Sequence, residues 1–471
     1  MKTRLPLLFS IVAMIIITMA SNTYGAFTLE DERKLGKETY DKLEKGHALL
    51  QTERIVEYVN RVGRIVLEQS DKQPFDYHFA VIKSDAINAF ATPGGYIYVN
   101  WGLINLVENE SELAGVLAHE ISHVNCRHIA DSIEKSQKVS IATLAGMLAG
   151  ALLGGGGNLT AGLIGLSAAT GASMTLKYSR EHEEEADRMG LMTLAKTGYY
   201  TKSMLDFLKI MRRYEFYSNT VPSYFLTHPG TDERIRYIDA SIQTAHYDGG
   251  KKSIIGGLKR IQTILLIIGS QNTEGSLKHF EEGLKKNPQD IDDLYGMAVM
   301  SARLGRTDAA ITYFNRALAI DPHDADILGD LGITYFMSGK TDEALHYLSD
   351  AVKYQSSDPE ALLYLGKAYE AKGDLPNAIA ALKQLEEKKT DDDEFYHALA
   401  MVYGKAGNQL ESHYYFGIYF KKKKKAESAI FHFKAALPLA MPGSAREKDI
   451  EAQLAELQKR KSPPPVERRR R

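Results

Sequence analysis

The stretch "ESELAGVLAHEISHVNCRH", residues 110–128, decides how the first half of this chain is read. It places H-E-x-x-H at residues 119–123, directly after the apolar run "LAGVLA". On a helix, His119 and His123 lie on one face, roughly 6 Å apart along the axis. That separation lets both imidazoles reach one tetrahedral Zn²⁺. Glu120 is turned by about 100° from His119, so it can reach a water at the metal without ligating the ion. Three fixed residues in five are weak evidence alone. The apolar run strengthens them, because a buried His-Glu-His cluster without a metal carries a heavy desolvation cost.

The helix starts at Asn109, with Glu112 three residues on. His128 lies about 900° from His119, half a turn out of phase, and faces away from the metal if the helix continues. It is therefore not expected as a ligand. Cys126, about 300° from His123, reads as a small buried hydrophobe. A third ligand has to come from elsewhere, and "SREHEEEADRMG" (179–190) offers Glu181, Glu183, Glu184 and Glu185. Glu183, Ala186, Asp187 and Gly190 share one stripe, the one whose small residues permit close approach to the His-Glu helix. That stripe selects Glu183 as ligand. Asp187, one turn on, then accepts a hydrogen bond from the far nitrogen of a ligand histidine and fixes its tautomer.

Working outward, residues 28–70 show helical periodicity. "FDYHFAVIKSDAINAFATPGGYIYVN" suggests two or three short strands broken at Pro-Gly-Gly. Residues 139–176 contain no charged residue and flank the four glycines 154–157 with two apolar arms. Three readings stand: a pair of small-residue helices in a core, a mobile cover over a cleft, or a surface for peripheral membrane or partner contact. At the N-terminus, Lys2 and Arg4 precede the apolar run 5–20 and the small-residue exit "SNTYGA". These are the parts of a secretory signal peptide, residues 1–26, with cleavage near Gly25 or Ala26 and a bacterial periplasm as destination. A retained anchor is the alternative. The single cysteine gives no internal disulfide, and a formal net charge of -2 gives no electrostatic case for nucleic acid.

The second half repeats. Gly305, Gly339, Gly373 and Gly407 recur every 34 residues, as do Ala310, Ala344 and Ala378. Phe314, Ala317 and Pro322 fill further positions of the tetratricopeptide (TPR) pattern, whose helical hairpins stack because one alone cannot bury its apolar face. "YDGGKKSIIGG" (247–257) reads as the boundary before them, the lysine run 421–425 as a solvated helix end, and the Pro- and Arg-rich terminus as disordered.

"HEISH" followed some sixty residues later by S-R-x-x-E-x-E-A-D-x-x-G resembles the HtpX/CAAX-protease-type family of zinc metallopeptidases. "INAFATPGGYIYVNWGL" and "THPGTDERI" add to the match, and the whole layout resembles the periplasmic branch that joins such a domain to repeats. The resemblance implies a gluzincin site with His119, His123 and Glu183 as ligands of one zinc per chain and Glu120 as base. It also implies that His228 of the T-H-P loop lies near the metal, capping it at rest or stabilising the oxyanion, with Arg234 a weaker candidate. The "GGYIYV" strand would be the edge along which an extended substrate pairs. Unfolded or misassembled outer-membrane proteins are the implied substrates, and the β-barrel assembly machinery the implied partner of the repeats. The expected fold is mainly α: a metallopeptidase domain with a small sheet (27–250), a TPR solenoid (257–455) and a basic tail (456–471). A repeat-based chaperone or scaffold with a largely gated protease site is the competing reading. A membrane-embedded peptidase is disfavoured, since several clear 20-residue spans are lacking.

Overall fold

The computed structural model describes residues 27–71, 74–134, 140–153, 178–218, 221–247, 249–270, 272–355, 358–386 and 393–461. The signal-peptide reading, the far arm and glycines of 139–176, and the terminus from residue 462 lie outside them. Two compact units divide between Leu265 and Leu266.

The first unit begins with helices α1 (Leu29–Lys45) and α2 (Glu53–Glu68), followed by strands β1 (His78–Ile82), β2 (Ala89–Thr92) and β3 (Tyr96–Asn100). The sheet order is β1-β3-β2, with β1 parallel and β2 antiparallel to β3. The β2–β3 hairpin turns through Gly94 and Gly95, both at positive φ, and a Cβ on Gly94 would come 2.7 Å from the Glu32 carbonyl oxygen. Only glycine fits there. This topology corrects one expectation. The "GGYIYV" strand is β3, which is hydrogen-bonded on both sides and offers no edge. The outer strand on the hairpin side is β2.

Next come α3 (Trp101–Leu106), α4 (Glu110–Asn125), α5 (His128–Glu134), α6 (Ile141–Leu153), α7 (Arg180–Thr197), α8 (Ser203–Ser218), α9 (Ser223–Thr227) and α10 (Thr231–Ala245). Helix α4 carries the quoted motif and is buried along its whole length from Glu110 to Val124. It packs against α2, α7, α8 and β2. Two glycines set that packing. A Cβ on Gly190 of α7 would sit 3.2 Å from the His119 backbone nitrogen, and one on Gly115 of α4 3.2 Å from Met204 Cα of α8. Asn109 caps α4, its side-chain oxygen accepting from the Glu112 N–H at 3.2 Å.

The first arm of the apolar segment, α6, packs Leu144, Ala145 and Leu148 against Leu35 of α1, a core role. Among the described residues no helix is long and apolar enough to cross a membrane. The stretch read as an inter-domain boundary packs into the first unit: Ile254, Ile255 and Gly256 donate backbone N–H groups, each at 2.8 Å, to the Glu110 carboxylate at the head of α4.

Helix α11 (Leu258–Gly269) spans the division between the units. The second unit continues as α12 (Thr273–Lys286), then the pairs α13 (Ile291–Arg303) and α14 (Thr307–Leu318), α15 (Ala325–Met337) and α16 (Thr341–Tyr354), α17 (Pro359–Ala371) and α18 (Leu375–Glu386), α19 (Asp393–Lys405) and α20 (Gln409–Lys422). Helices α21 (Ala426–Ala436) and α22 (Ala445–Lys461) follow, α22 running past the residue-455 boundary. Each periodic glycine ends the first helix of a pair at φ between 71° and 80°. The following N–H returns five residues to a carbonyl: Arg306 to Ser301, Lys340 to Tyr335, Asp374 to Tyr369, Asn408 to Tyr403. This is the Schellman closure. Ala310, Ala344 and Ala378 are fully buried. The lysine run ends α20, but Lys421 pairs with Glu456 and Lys423 with Asp393 rather than standing free.

Candidate metal centre

Helix α4 presents His119, Glu120 and His123, α7 presents Glu183 and Asp187, and the loop after α9 presents His228; all are nearly or fully buried. Of the competing glutamates, Glu181, Glu184 and Glu185 are exposed, while Glu183 with Ala186, Asp187 and Gly190 turns inward. His123 Nε2 lies 2.9 Å from His119 Nε2 and 3.4 Å from Glu183 Oε1. His119 Nε2 lies 3.5 Å from Glu183 Oε2 and 3.3 Å from His228 Nδ1, which is 3.0 Å from Glu183 Oε1. Donor atoms around a tetrahedral ion, at 2.0–2.1 Å from it, lie about 3.3 Å from one another. The four-donor set therefore fits a metal ion of that size, and His₃Glu is donor chemistry suited to one.

The surroundings hold these side chains in place. Asp187 Oδ1 is 2.8 Å from His119 Nδ1. Arg234, fully buried, grips Asp187 through Nε and Nη2, both at 2.7 Å, and reaches Glu183 Oε2 with Nη1 at 2.6 Å. Tyr237 donates its hydroxyl to Asp187 as well. Burial would raise the Glu183 carboxyl, yet His228 and Arg234 hold it well below the usual range. Burial pushes the His123 imidazole well below its ordinary value, so it is neutral, as ligation requires. Burial also raises the Glu120 carboxyl. Neither Glu120 oxygen has a hydrogen-bond partner among the described residues, and His228 Nε2 lies 3.5 Å from its Oε1.

Sequence reasoning missed three neighbours. Tyr178 stacks on His123 (3.7 Å between centroids, 17°), its hydroxyl buried and without a hydrogen-bond partner among the described residues. Tyr224 stacks on His228 at 4.3 Å. His128 is the third. Helix α4 does not continue past Asn125; Arg127 takes φ 56° and turns the chain back, so His128 lies beside His123 instead of half a turn away. It is outside the four-donor set but 2.7 Å from His123 Nδ1. Cys126, expected as a buried hydrophobe, is only partly buried at the helix end. The Glu-x-Glu-Ala-Asp run held a signal for part of this arrangement, since Glu185 lies 3.2 Å from His128 Nε2.

Residues 50–242 match peptidase family M48, and residues 290–357 and 330–393 match tetratricopeptide repeats. The chain is 36% identical over 222 residues to a putative β-barrel assembly-enhancing protease of Vibrio cholerae serotype O1, covering 46% of this chain and 45% of that one. It is 31% identical over 213 residues to the β-barrel assembly-enhancing protease of Yersinia pestis, covering 45% and 44%. With the mitochondrial metalloendopeptidase OMA1 of Schizosaccharomyces pombe it shares 29% over 219 residues, covering 46% and 62%. The matched stretch thus spans about half the length of the two β-barrel assembly-enhancing proteases and 62% of OMA1. Family and donor set together imply a metal cofactor. Residues 50–242 are thus similar to peptidase family M48, and the matches to tetratricopeptide repeats follow them in the chain.

Proposed function

We propose that this chain is a periplasmic zinc metalloendopeptidase that cleaves misfolded or stalled outer-membrane proteins, with its repeats recruiting substrate or the β-barrel assembly machinery. His119, His123 and Glu183 would hold one Zn²⁺. When bound, the ion supplies Lewis-acid polarisation of the scissile carbonyl and lowers the pKa of a water. Glu120 takes the proton from the attacking water onto its carboxylate and hands it to the nitrogen of the leaving amine. Its burial suits that work, because a carboxyl raised above its ordinary value is a better proton acceptor than an exposed one. Asp187 fixes the His119 tautomer, and Arg234 balances the charge of both carboxylates. An extended substrate would pair with the outer edge of β2 rather than with β3, which would require β2, buried in this structure, to be uncovered; the carbonyl of Ala89 in β2 lies 3.4 Å from His228 Nε2.

His228 has its Nδ1 at the fourth corner of the donor set. A catalytic zinc keeps one position open for water or substrate, so His228 as a fourth ligand would be a resting arrangement, from which it would withdraw before turnover. The same closure favours the second reading, a repeat-based chaperone whose protease site is mostly shut. The observation that carries the enzymatic reading is the buried Glu120 carboxylate beside the donor set, without a hydrogen-bond partner among the described residues. Glu120→Gln is expected to keep zinc content and to lose cleavage of an unfolded β-barrel protein; unchanged cleavage refutes the mechanism. Lost cleavage with intact barrel assembly in cells supports the chaperone reading.

A further inference from the structure

Behind the metal centre lies a second group of ligand-type side chains: Cys126, His128 and Glu185, with candidate donor atoms all within 4.8 Å of one another. Two readings are open. The group can bind a second, softer metal ion, or it can be a hydrogen-bonded extension of the first site. The contact between His123 and His128 decides between them.

The two Nδ1 atoms lie 2.7 Å apart, the rings meeting at 74°. Two imidazole nitrogens at that distance share one proton, so one donates and the other accepts. His123 Nε2 faces His119 and Glu183 inside the four-donor set. If Nε2 ligates, the neutral ring carries its proton on Nδ1. His128 Nδ1 therefore accepts, which places the His128 proton on Nε2, 3.2 Å from Glu185 Oε2. Glu185 also accepts from the Cys126 thiol. The His128 ring is held by stacking on His182 (4.3 Å, 14°), itself 3.1 Å from Asp131 through Nε2.

A metal at Cys126 and Glu185 would need the lone pair of His128 Nε2. That would move the His128 proton to Nδ1, against the N–H of His123. A filled main centre and an ion held by His128 thus exclude each other.

We infer that His128 is a positioning residue. It accepts from His123 Nδ1 and donates to Glu185, fixing the tautomer and ring plane in which His123 presents Nε2 to the metal. This rests on the reading of His123 as a ligand. Each α4 histidine then has its own support: Asp187 for His119, and the His128–Glu185 relay for His123. They differ in reach, because Asp187 is sealed in the core whereas the Glu185 side chain is half exposed.

The test uses the full chain and zinc alone as probe. Zinc affinity by chelator competition is compared for His128→Phe, which keeps the ring shape without an acceptor, and His128→Asn, whose amide oxygen takes the Nδ1 position. Loss of such a supporting partner typically weakens metal binding about 10–100-fold; that loss is expected for Phe, with Asn restoring most of it. Ring-¹⁵N NMR of the unaltered zinc-loaded chain is expected to show His128 protonated on Nε2, a readout independent of whether either variant folds. One zinc equivalent is expected, unchanged by Cys126→Ser. A Phe variant that binds zinc as tightly as the unaltered chain, a His128 proton on Nδ1, or a second equivalent lost with Cys126→Ser overturns the relay. His123→Ala separates the two claims. If it loses zinc while His128→Phe does not, only the relay fails; if it keeps full affinity, the ligand reading fails and takes the relay with it.

Discussion

At the scale of single residues, the centre depends on charge balance in a buried space. Glu183 and Asp187 are fully buried carboxylates, and Arg234 is the cation that contacts both. Removing one partner of a buried ionic group leaves uncompensated charge and costs about 3–5 kcal/mol. Arg234→Met is therefore expected to destabilise the metal-free protein by an amount of that order, read by denaturant unfolding of the first unit. A loss below 1 kcal/mol would mean that the two carboxylates are not charged together. Glu183→Ala is expected to remove most zinc affinity, whereas Glu181→Ala, on the exposed side of α7, is not. Equal zinc retention in both variants would rule out Glu183 as ligand.

At the scale of elements, α4 is fixed at its head by one carboxylate. Glu110 accepts from the N–H groups of residues 254–256 and from the hydroxyls of Tyr199 (2.8 Å), Tyr58 (3.2 Å) and Ser253 (3.3 Å). Burial works to raise its carboxyl, but these hydrogen bonds win and its pKa falls below the ordinary 4.5. A group with a depressed folded-state pKa contributes stability that is fully present above the unfolded value and lost as pH falls through the folded one. The first unit is thus expected to lose stability below about pH 4.5, and Glu110→Gln to blunt that dependence. Hydrogen bonds to a charged group contribute about 1.5–3 kcal/mol, so the Gln variant is expected to lose a similar amount at neutral pH. Amide exchange at Ile254, Ile255 and Gly256 should speed up; unchanged exchange there would show that Glu110 does not hold the segment.

At the scale of the whole molecule, the two units are built on different principles, one around a buried polar centre and the other by repetition. Ala344 is fully buried where two helices of a repeat cross, and adding methylenes to such a contact costs about 1–3 kcal/mol. Ala344→Leu is expected to loosen the repeats while leaving zinc content and short-peptide cleavage intact. If cleavage of an unfolded barrel protein falls in that variant, the repeats recruit substrate; if both substrates are cleaved as before, recruitment lies elsewhere.

The sequence by itself determined whatever depends on short-range periodicity. The 34-residue spacing of glycine and alanine required stacked hairpins, since only glycine takes the left-handed turn at low cost and only a small residue fits the crossing. Those hairpins also carry an aspartate N-cap at positions 290, 324 and 358, again at the 34-residue interval. The four-residue interval between His119 and His123 set their common face, and the small-residue stripe singled out Glu183 and Asp187 without any contact being known. Tertiary structure alone decided what depends on chain closure. It brought His228 to a helix more than a hundred residues earlier and Arg234 to the carboxylates of α7, made β3 the middle strand and β2 the outer one, and tied residues 254–256 to Glu110. It also broke α4 at Arg127 and swung His128 onto His123. A helical phase argument holds only while the helix lasts, and where a helix stops is settled by the packing around its end.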